Sequence, residues 1–304
     1  MSEHVVPDSE HRGLVERLPQ LPRDLAQLAR FDRPIGWWLL FWPCAFGTLL
    51  GGYGAPWEAL GLLLALYLIG AVAMRGAGCV YNDIVDARLD ASVARTAARP
   101  VASGRVSKRT AWIWLVALCL VGLGVLLQLR WQAQAVALAS LALVAAYPFM
   151  KRITWWPQAW LGMVFNWGLL VGWAQLRLDH WDAIAALYAG CICWVIGYDT
   201  IYALQDREDD ALVGIRSSAL AMGARVHAGI AGFYGATIGL WALGFWLLRP
   251  DPLALAALLP VAGHLVWQVA TLDADDPANP LERFRSNRWA GALMAAACAV
   301  VGLA

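Results

Sequence analysis

Charge is scarce in this chain. Only 15% of its 304 residues are Asp, Glu, Lys or Arg, and the net charge is +1, whereas soluble domains carry about 25% charged residues. No broad basic field exists to recruit nucleic acid. Nucleotide loops are missing too: there is no Walker A sequence and no GxGxxG, so nucleotide chemistry has no support. The six cysteines, Cys44, Cys79, Cys119, Cys191, Cys193 and Cys298, form no CxxC pair and lie in apolar runs. They read as small core residues, not as a disulfide or metal framework. The histidines form no Cys/His metal spacing and no Ser/His/Asp set; His264 reads as an interior residue of a helix bundle. The opening stretch MSEHVVPDSEHRG is polar and acidic, which is not the pattern of a secretory signal.

What is abundant is apolar surface. Hydrophobic residues make up 60% of the chain and Trp alone occurs 18 times. Nine apolar runs stand out, at 36–54, 59–82, 110–128, 132–150, 157–176, 183–204, 226–248, 252–271 and 288–304. Most match the ~20 residues that cross a ~30 Å hydrocarbon core. They lack the alternation of a barrel strand, so helices are expected. The fold class expected is an all-α membrane protein of about nine transmembrane helices.

Basic residues orient those helices. Nineteen Lys and Arg fall before the first run and after the second, fourth, sixth and eighth; three, Arg130, Arg177 and Arg249, fall on the other side. The basic side is expected to be cytoplasmic, with the N-terminus inside. Residues 1–34 read as an N-terminal cytoplasmic segment, and 35–304 as one transmembrane domain. Within the first segment Leu21, Leu25, Leu28 and Phe31 form one helical stripe. It suits either an interfacial amphipathic helix or a leader helix packed on the cytoplasmic loops. Trp37, Trp38, Trp42, Trp155, Trp156, Trp160 and Trp289 lie near run ends, as an interfacial aromatic belt would.

Carboxylates stand where apolar runs end. Asn82, Asp86 and Asp90 recur at i, i+4 and i+8, one helical face, with Asp83 about a quarter-turn away. Arg75 lies inside the second run, seven residues before Asn82. After the sixth run Asp199, Tyr202, Asp206 and Asp210 follow i, i+3, i+7 and i+11, with Asp209 adjacent. An Asp in mid-bilayer costs about 2.5 to 3.5 kcal/mol on insertion scales, so two such sets are expected to face a polar cavity. Hard oxygen donors in this number suit Mg²⁺, which accepts phosphate oxygens alongside carboxylates. Basic residues follow each set: Arg95 and Arg99, Lys151 and Arg152, and Arg216. Positive-inside topology accounts for many of them; Arg75, within a run, points to a carboxylate or an anionic ligand.

These residues resemble a known family. Asn82-Asp83, Asp86, Asp90, Arg95-Thr96, Arg99-Pro100 and Ser103-Gly104 match the NDxxDxxxD…RTxxRPxxSG signature of the UbiA superfamily of intramembrane prenyltransferases. Tyr198 to Asp210, YDTIYALQDREDD, is similar to the second signature of its 4-hydroxybenzoate polyprenyltransferases, as are DRPIGWWLLFWP at 32–43 and YPFMKR at 147–152. One departure is Arg216 where the family often has Lys in GxKS, and a planar fork is not interchangeable with an ammonium.

The resemblance implies a nine-helix bundle around a central cavity that opens to the bilayer. It implies a multi-pass protein of the bacterial inner (plasma) membrane, whose partners are a polyprenyl diphosphate, 4-hydroxybenzoate and lipid. Asn82, Asp83, Asp86, Asp90, Asp206, Asp209 and Asp210 would hold Mg²⁺. Arg75, Arg95, Arg99, Lys151, Arg152 and Arg216 would bind diphosphate or benzoate. Asp199 or Tyr202 would orient the phenol or take a proton. Prenyl transfer to that ring would serve ubiquinone synthesis. Another acceptor (haem, homogentisate or a naphthoate) and a divalent-cation transporter are the alternatives. A transporter would place its carboxylates nearer mid-membrane and away from Arg-rich loops.

Overall fold

The computed structural model describes residues 10, 12–92, 96–206, 216–274, 276 and 278–303; the side chains of Arg12, Lys151, Arg152 and Asp206 also lie outside the described part. All regular elements among the described residues are helical. The principal ones are α1 (Gln20–Leu28), α2 (Ile35–Gly51), α3 (Trp57–Val85), α4 (Ala87–Ser92), α5 (Lys108–Leu126), α6 (Trp131–Ile153), α7 (Pro157–Leu176), α8 (Trp181–Ala203), α9 (Val226–Leu248), α10 (Leu259–Ala270) and α11 (Asn279–Leu303).

Each of the nine apolar runs is helical, but six stretches among the described residues are long and apolar enough to cross a membrane by length and composition. Nine is therefore an approximate count. Helix α2 is short at 17 residues. Polar side chains dilute the other two: Gln158, Asn166 and Gln175 in α7, and Glu282, Arg283, Arg285 and Arg288 in α11. Two boundaries differ from expectation. The eighth run is split into Pro252–Ala256 and α10, because Pro260 has no N–H to continue the ladder. Helix α11 starts at Asn279, ahead of residue 288: its first turns are charged, and hydropathy does not register a polar helix.

The chain forms two compact units, Met1–Trp38 with Ala65–Gln128, and Leu39–Leu64 with Leu129–Ala304. In the first unit Leu28 and Ala29 of the N-terminal segment are buried with Ala77, Val80 and Ile84 of α3 and with Ala111 and Leu118 of α5. Val101 and Val106 join them, which anchors the otherwise polar loop after α4. Burying a side chain such as Leu28 contributes about 1.5–3 kcal/mol. The Trp114 indole N–H donates to the Leu25 carbonyl at 3.1 Å, closing α5 over α1. Ser107 caps α5 by accepting from the Thr110 amide.

In the second unit α8 is the central helix. Trp194, Ile184, Leu187 and Ile201 are fully buried along it, and Phe46, Trp241 and Phe245 close around them. Several buried polar groups are matched in pairs, as a low-dielectric interior demands. Trp194 donates to Asn287 at 2.8 Å, Tyr234 to Gln268 at 2.6 Å, and Gln268 to Ser286 at 2.9 Å. These bonds tie α8, α9, α10 and α11. Helices α2 and α7 meet through glycine: a Cβ on Gly47 would lie 2.6 Å from the Trp173 amide nitrogen, and one on Gly172 3.0 Å from the Thr48 nitrogen. Small residues are what let two membrane helices approach this closely.

Candidate active site

The first acidic set sits where α3 passes into α4. Asn82 and Asp83 are on the last turn of α3, Asp86 is at a bend, and Asp90 is on α4. The ladder persists through the bend, with the Asp86 amide on Asn82 O at 2.9 Å and the Asp90 amide on Asp86 O at 2.8 Å. Asp83, Asp86 and Asp90 are all at most 5% exposed, and Asn82 is half-buried. Buried carboxylates are strongly unfavourable without compensating charge.

Two guanidiniums supply that charge. Arg30 reaches back from the end of the N-terminal segment and donates to both Asp83 oxygens, at 3.0 and 3.1 Å. Arg99 donates to Asp90 Oδ2 at 2.9 Å and to Asp83 Oδ1 at 3.3 Å. Burial works against the Arg30 charge, but Asp83 and its neighbours outweigh burial and its pKa is raised. Arg30 adopts a left-handed conformation, φ 58°, as the residue after the C-cap of α1, where the Phe31 amide donates to the Ala26 carbonyl at 3.0 Å and the Arg30 amide to that of Gln27 at 3.1 Å. In the sequence Arg30 is one of the basic residues before the first apolar run, on the polar side of the amphipathic segment. Nothing in the spacing signals its partner.

Of the other first-unit residues, Arg75 is half-buried in α3 and donates to the Cys79 sulfur one turn on. Gly36 makes room for it: a Cβ there would lie 2.6 Å from Arg75 Nε. The Thr96 hydroxyl donates to the Asp90 carbonyl at 2.9 Å, tying the loop to α4. Arg95 lies outside the described residues.

The second acidic set begins on α8. Asp199 and Tyr202 are half-buried near its C-terminal end. The Tyr202 ring lies 4.7 Å from Phe284, and the buried Tyr198 packs between Trp194 and the same Phe284. The α-helix then stops at Ala203, and Leu204–Asp206 is a 3₁₀ turn. The final turn tightens, a common way of satisfying terminal carbonyls, so regular α-helical spacing runs from Asp199 only as far as Ala203. Asp209 and Asp210 lie outside the described residues, as do the side chains of Asp206, Lys151 and Arg152.

Beyond that turn, hydroxyls fasten the chain to α8. Thr200 and Ser218 share a 2.6 Å hydrogen bond, and the Ser218 amide donates to Gln158 at 3.2 Å. Arg216 donates to the Ile153 carbonyl at 2.9 Å, and its guanidinium lies 5.3 Å from the Trp155 ring centre. That position caps the end of α6, where a cation is favourable.

Asp83, Asp90 and Arg99 are thus brought together, with Arg30 as the addition. Arg75 and Arg216 have local protein partners. Among the described residues no group of three or more His, Cys, Asp or Glu is already gathered into a metal cage. The donors present still fit Mg²⁺. That ion keeps waters and is typically held by one or two carboxylates together with phosphate oxygens. Asn82, Asp86 and Asp90 offer hard oxygens of this kind.

A model of the UbiA prenyltransferase family matches residues 40–300. The chain is 42% identical over 291 residues to the mitochondrial 4-hydroxybenzoate polyprenyltransferase of Drosophila pseudoobscura pseudoobscura, an alignment covering 95% of this chain and 73% of that protein. Among solved structures, a UbiA homolog from Aeropyrum pernix K1 in its apo form superposes with TM-score 0.69 at 26% identity, covering 86% of this chain and 97% of that one. A UbiA homolog from Archaeoglobus fulgidus bound to GPP and Mg²⁺ shares the fold, with TM-score 0.64 at 18% identity over 91% of this chain and 99% of that one.

Proposed function

Because the chain belongs to the UbiA prenyltransferase family, we propose that it transfers a polyprenyl group from a polyprenyl diphosphate to the ring carbon ortho to the hydroxyl of 4-hydroxybenzoate. The observation that carries the reading is the 42% identity, over 95% of the chain, to a relative bearing that name. The chemistry follows from a buried acidic helix end at the close of a long apolar helix. A prenyl tail belongs in hydrocarbon, whereas its diphosphate needs charge, and α3 offers both in sequence.

Asn82, Asp86 and Asp90 in the first set, and Asp206, Asp209 and Asp210 in the second, are the residues that would hold Mg²⁺. When bound, the ion supplies Lewis-acid stabilisation of the departing diphosphate. Arg75, Arg95, Lys151 and Arg152 add fixed positive charge toward diphosphate or benzoate. Arg99 and Arg216 contribute theirs from the paired positions described above. The allylic C–O bond breaks with its electron pair leaving on the diphosphate. The ring carbon ortho to the phenol then forms the new C–C bond, and the ring proton is lost. Asp199 and Tyr202 orient the phenol or accept that proton. Apolar walls keep water from capturing the allylic cation.

The reading places it as a multi-pass protein of a bacterial inner (plasma) membrane, and the charge distribution supports an N-terminus on the cytoplasmic side, since 19 basic residues flank one set of helix ends and three the other. Ubiquinone synthesis is the process such a product serves.

The test is an assay in isolated membranes with labelled 4-hydroxybenzoate and polyprenyl diphosphates of several lengths. A product heavier by the prenyl group is expected only when Mg²⁺ is present. Prenylation of homogentisate or a naphthoate in place of 4-hydroxybenzoate would refute the acceptor assignment. Cation flux in liposomes without prenyl transfer would refute the enzyme.

A further inference from the structure

Asp83 is the odd member of the first acidic set. It falls off the i, i+4, i+8 face of Asn82, Asp86 and Asp90, and it is only 1% exposed. Both of its oxygens already accept from guanidiniums. Arg30 binds the two at 3.0 and 3.1 Å, and Arg99 adds a third contact to Oδ1 at 3.3 Å. Arg99 in turn holds Asp90 at 2.9 Å through the same nitrogen. The result is a chain of alternating charge, Arg30, Asp83, Arg99, Asp90, that starts in the N-terminal segment and ends on a carboxylate of the diphosphate site.

We propose that Arg30 and Asp83 are a positioning pair, not a substrate contact and a metal ligand. Arg30 fixes the Asp83 carboxylate, Asp83 fixes the Arg99 fork, and Arg99 fixes the orientation of Asp90. The N-terminal segment is thereby a working part of the site, although it carries none of the residues that meet the diphosphate.

Three observations support the assignment. Arg30 is the left-handed C′ residue, φ 58°, of the cap that ends α1, so the helix terminus fixes where its side chain starts. Its side chain is 12% exposed and that of Asp83 1%, so the pair is shielded from the solvent screening that weakens surface ion pairs. The Arg30 Nη2 reaches both carboxylate oxygens while Nη1 donates to the Gln27 carbonyl at 2.9 Å, so the guanidinium is tied on two sides, and a lysine has no second nitrogen for that. The segment has a second ionic anchor, Arg105 on Asp24. That anchor contacts neither Asp83 nor Asp90, and it serves as an internal control.

The inference rests on the proposed diphosphate chemistry, and the experiment separates the two. Full-length protein in detergent is titrated with inorganic pyrophosphate in the presence of Mg²⁺ by calorimetry. Arg30→Ala and Asp83→Asn are each expected to weaken binding about tenfold, and the double variant to be no weaker than either single, because coupled residues are not additive. Arg30→Lys should recover part of the loss. Arg105→Ala should change the affinity less than about twofold, since Arg105 anchors the segment through Asp24 and Ala98 and touches neither Asp83 nor Asp90. In membranes the same Arg30 and Asp83 variants should raise KM for polyprenyl diphosphate and leave KM for 4-hydroxybenzoate unchanged.

Unchanged pyrophosphate affinity in the single variants would overturn the proposal. So would losses that multiply in the double variant, or an Arg105→Ala loss as large as that of Arg30→Ala. Wild-type protein that binds Mg²⁺ and pyrophosphate but prenylates no 4-hydroxybenzoate would sink the acceptor assignment and leave the pair to stand on the binding results.

Discussion

The two acidic helix ends are held by different forces. At the close of α3 the carboxylates are buried and secured by guanidiniums, Arg30 and Arg99 on Asp83 and Asp90. At the close of α8 the described side chains are secured by hydroxyls and rings, Thr200 on Ser218 and Tyr202 against Phe284. An ionic lattice holds charge in place but becomes strongly destabilising when one partner is removed. A neutral hydrogen bond or ring contact contributes less and loses less. The first end is therefore the stiffer and the more fragile.

The sharpest way to break this contrast is at Asp86, fully buried at the bend. Asp86→Ala should lower prenyl transfer in membranes by about 10²–10³-fold, the loss typical of removing one preorganised electrostatic group, with the amount of folded protein unchanged. Excess chelator should abolish wild-type transfer and Mg²⁺ should restore it. Full activity in chelator would remove the metal from the first end altogether.

Next in size are the residues of the second end. Asp199→Asn should reduce kcat by about 10²-fold, at the lower edge of the general-base range. Tyr202→Phe keeps the ring on Phe284 and should cost roughly tenfold or less. Single-turnover rates with 4-hydroxybenzoate would rank the two. A larger loss from Tyr202→Phe would reverse their roles.

Stability comes next. Arg99→Ala removes a contact from each of two buried carboxylates. It should destabilise the protein by about 2 kcal/mol, less than a fully buried pair because Arg99 is partly exposed. Thermal unfolding in detergent reads this directly. The smallest change is Thr200→Val, which leaves the Ser218 hydroxyl without its partner and should cost about 1 kcal/mol with near-normal transfer. If Thr200→Val lowered stability more than Arg99→Ala, the proposed difference between the two ends would be inverted.

Much of the architecture was legible in residue order. All nine apolar runs are helical, and the acidic residues do stand at helix ends. Hydropathy could not say which helices lie inside. The apolar stretches of Trp181–Ala203 and Trp131–Met150 have similar mean hydropathy, 1.5 and 1.7, yet 61% of one and 11% of the other is buried. Lipid and protein interior are equally apolar, so a sequence scale does not separate them. The aromatic residues divide in the same way: Trp57 and Trp289 are exposed, while Trp173, Trp194 and Trp241 are core residues. The 3₁₀ turn at Leu204–Asp206 was hidden because a helical spacing of polar residues looks the same whether or not the α-helix continues through it.

Residue order alone determined the helices and the clustering of carboxylates at their ends. Helix formation in hydrocarbon is a local requirement that each segment meets with its own backbone hydrogen bonds, and i, i+4 spacing is a property of one helix. Only the tertiary structure decided which charge answers which. Arg30 and Asp83 are 53 residues apart, and Coulomb attraction depends on separation in space, which no spacing along the chain encodes.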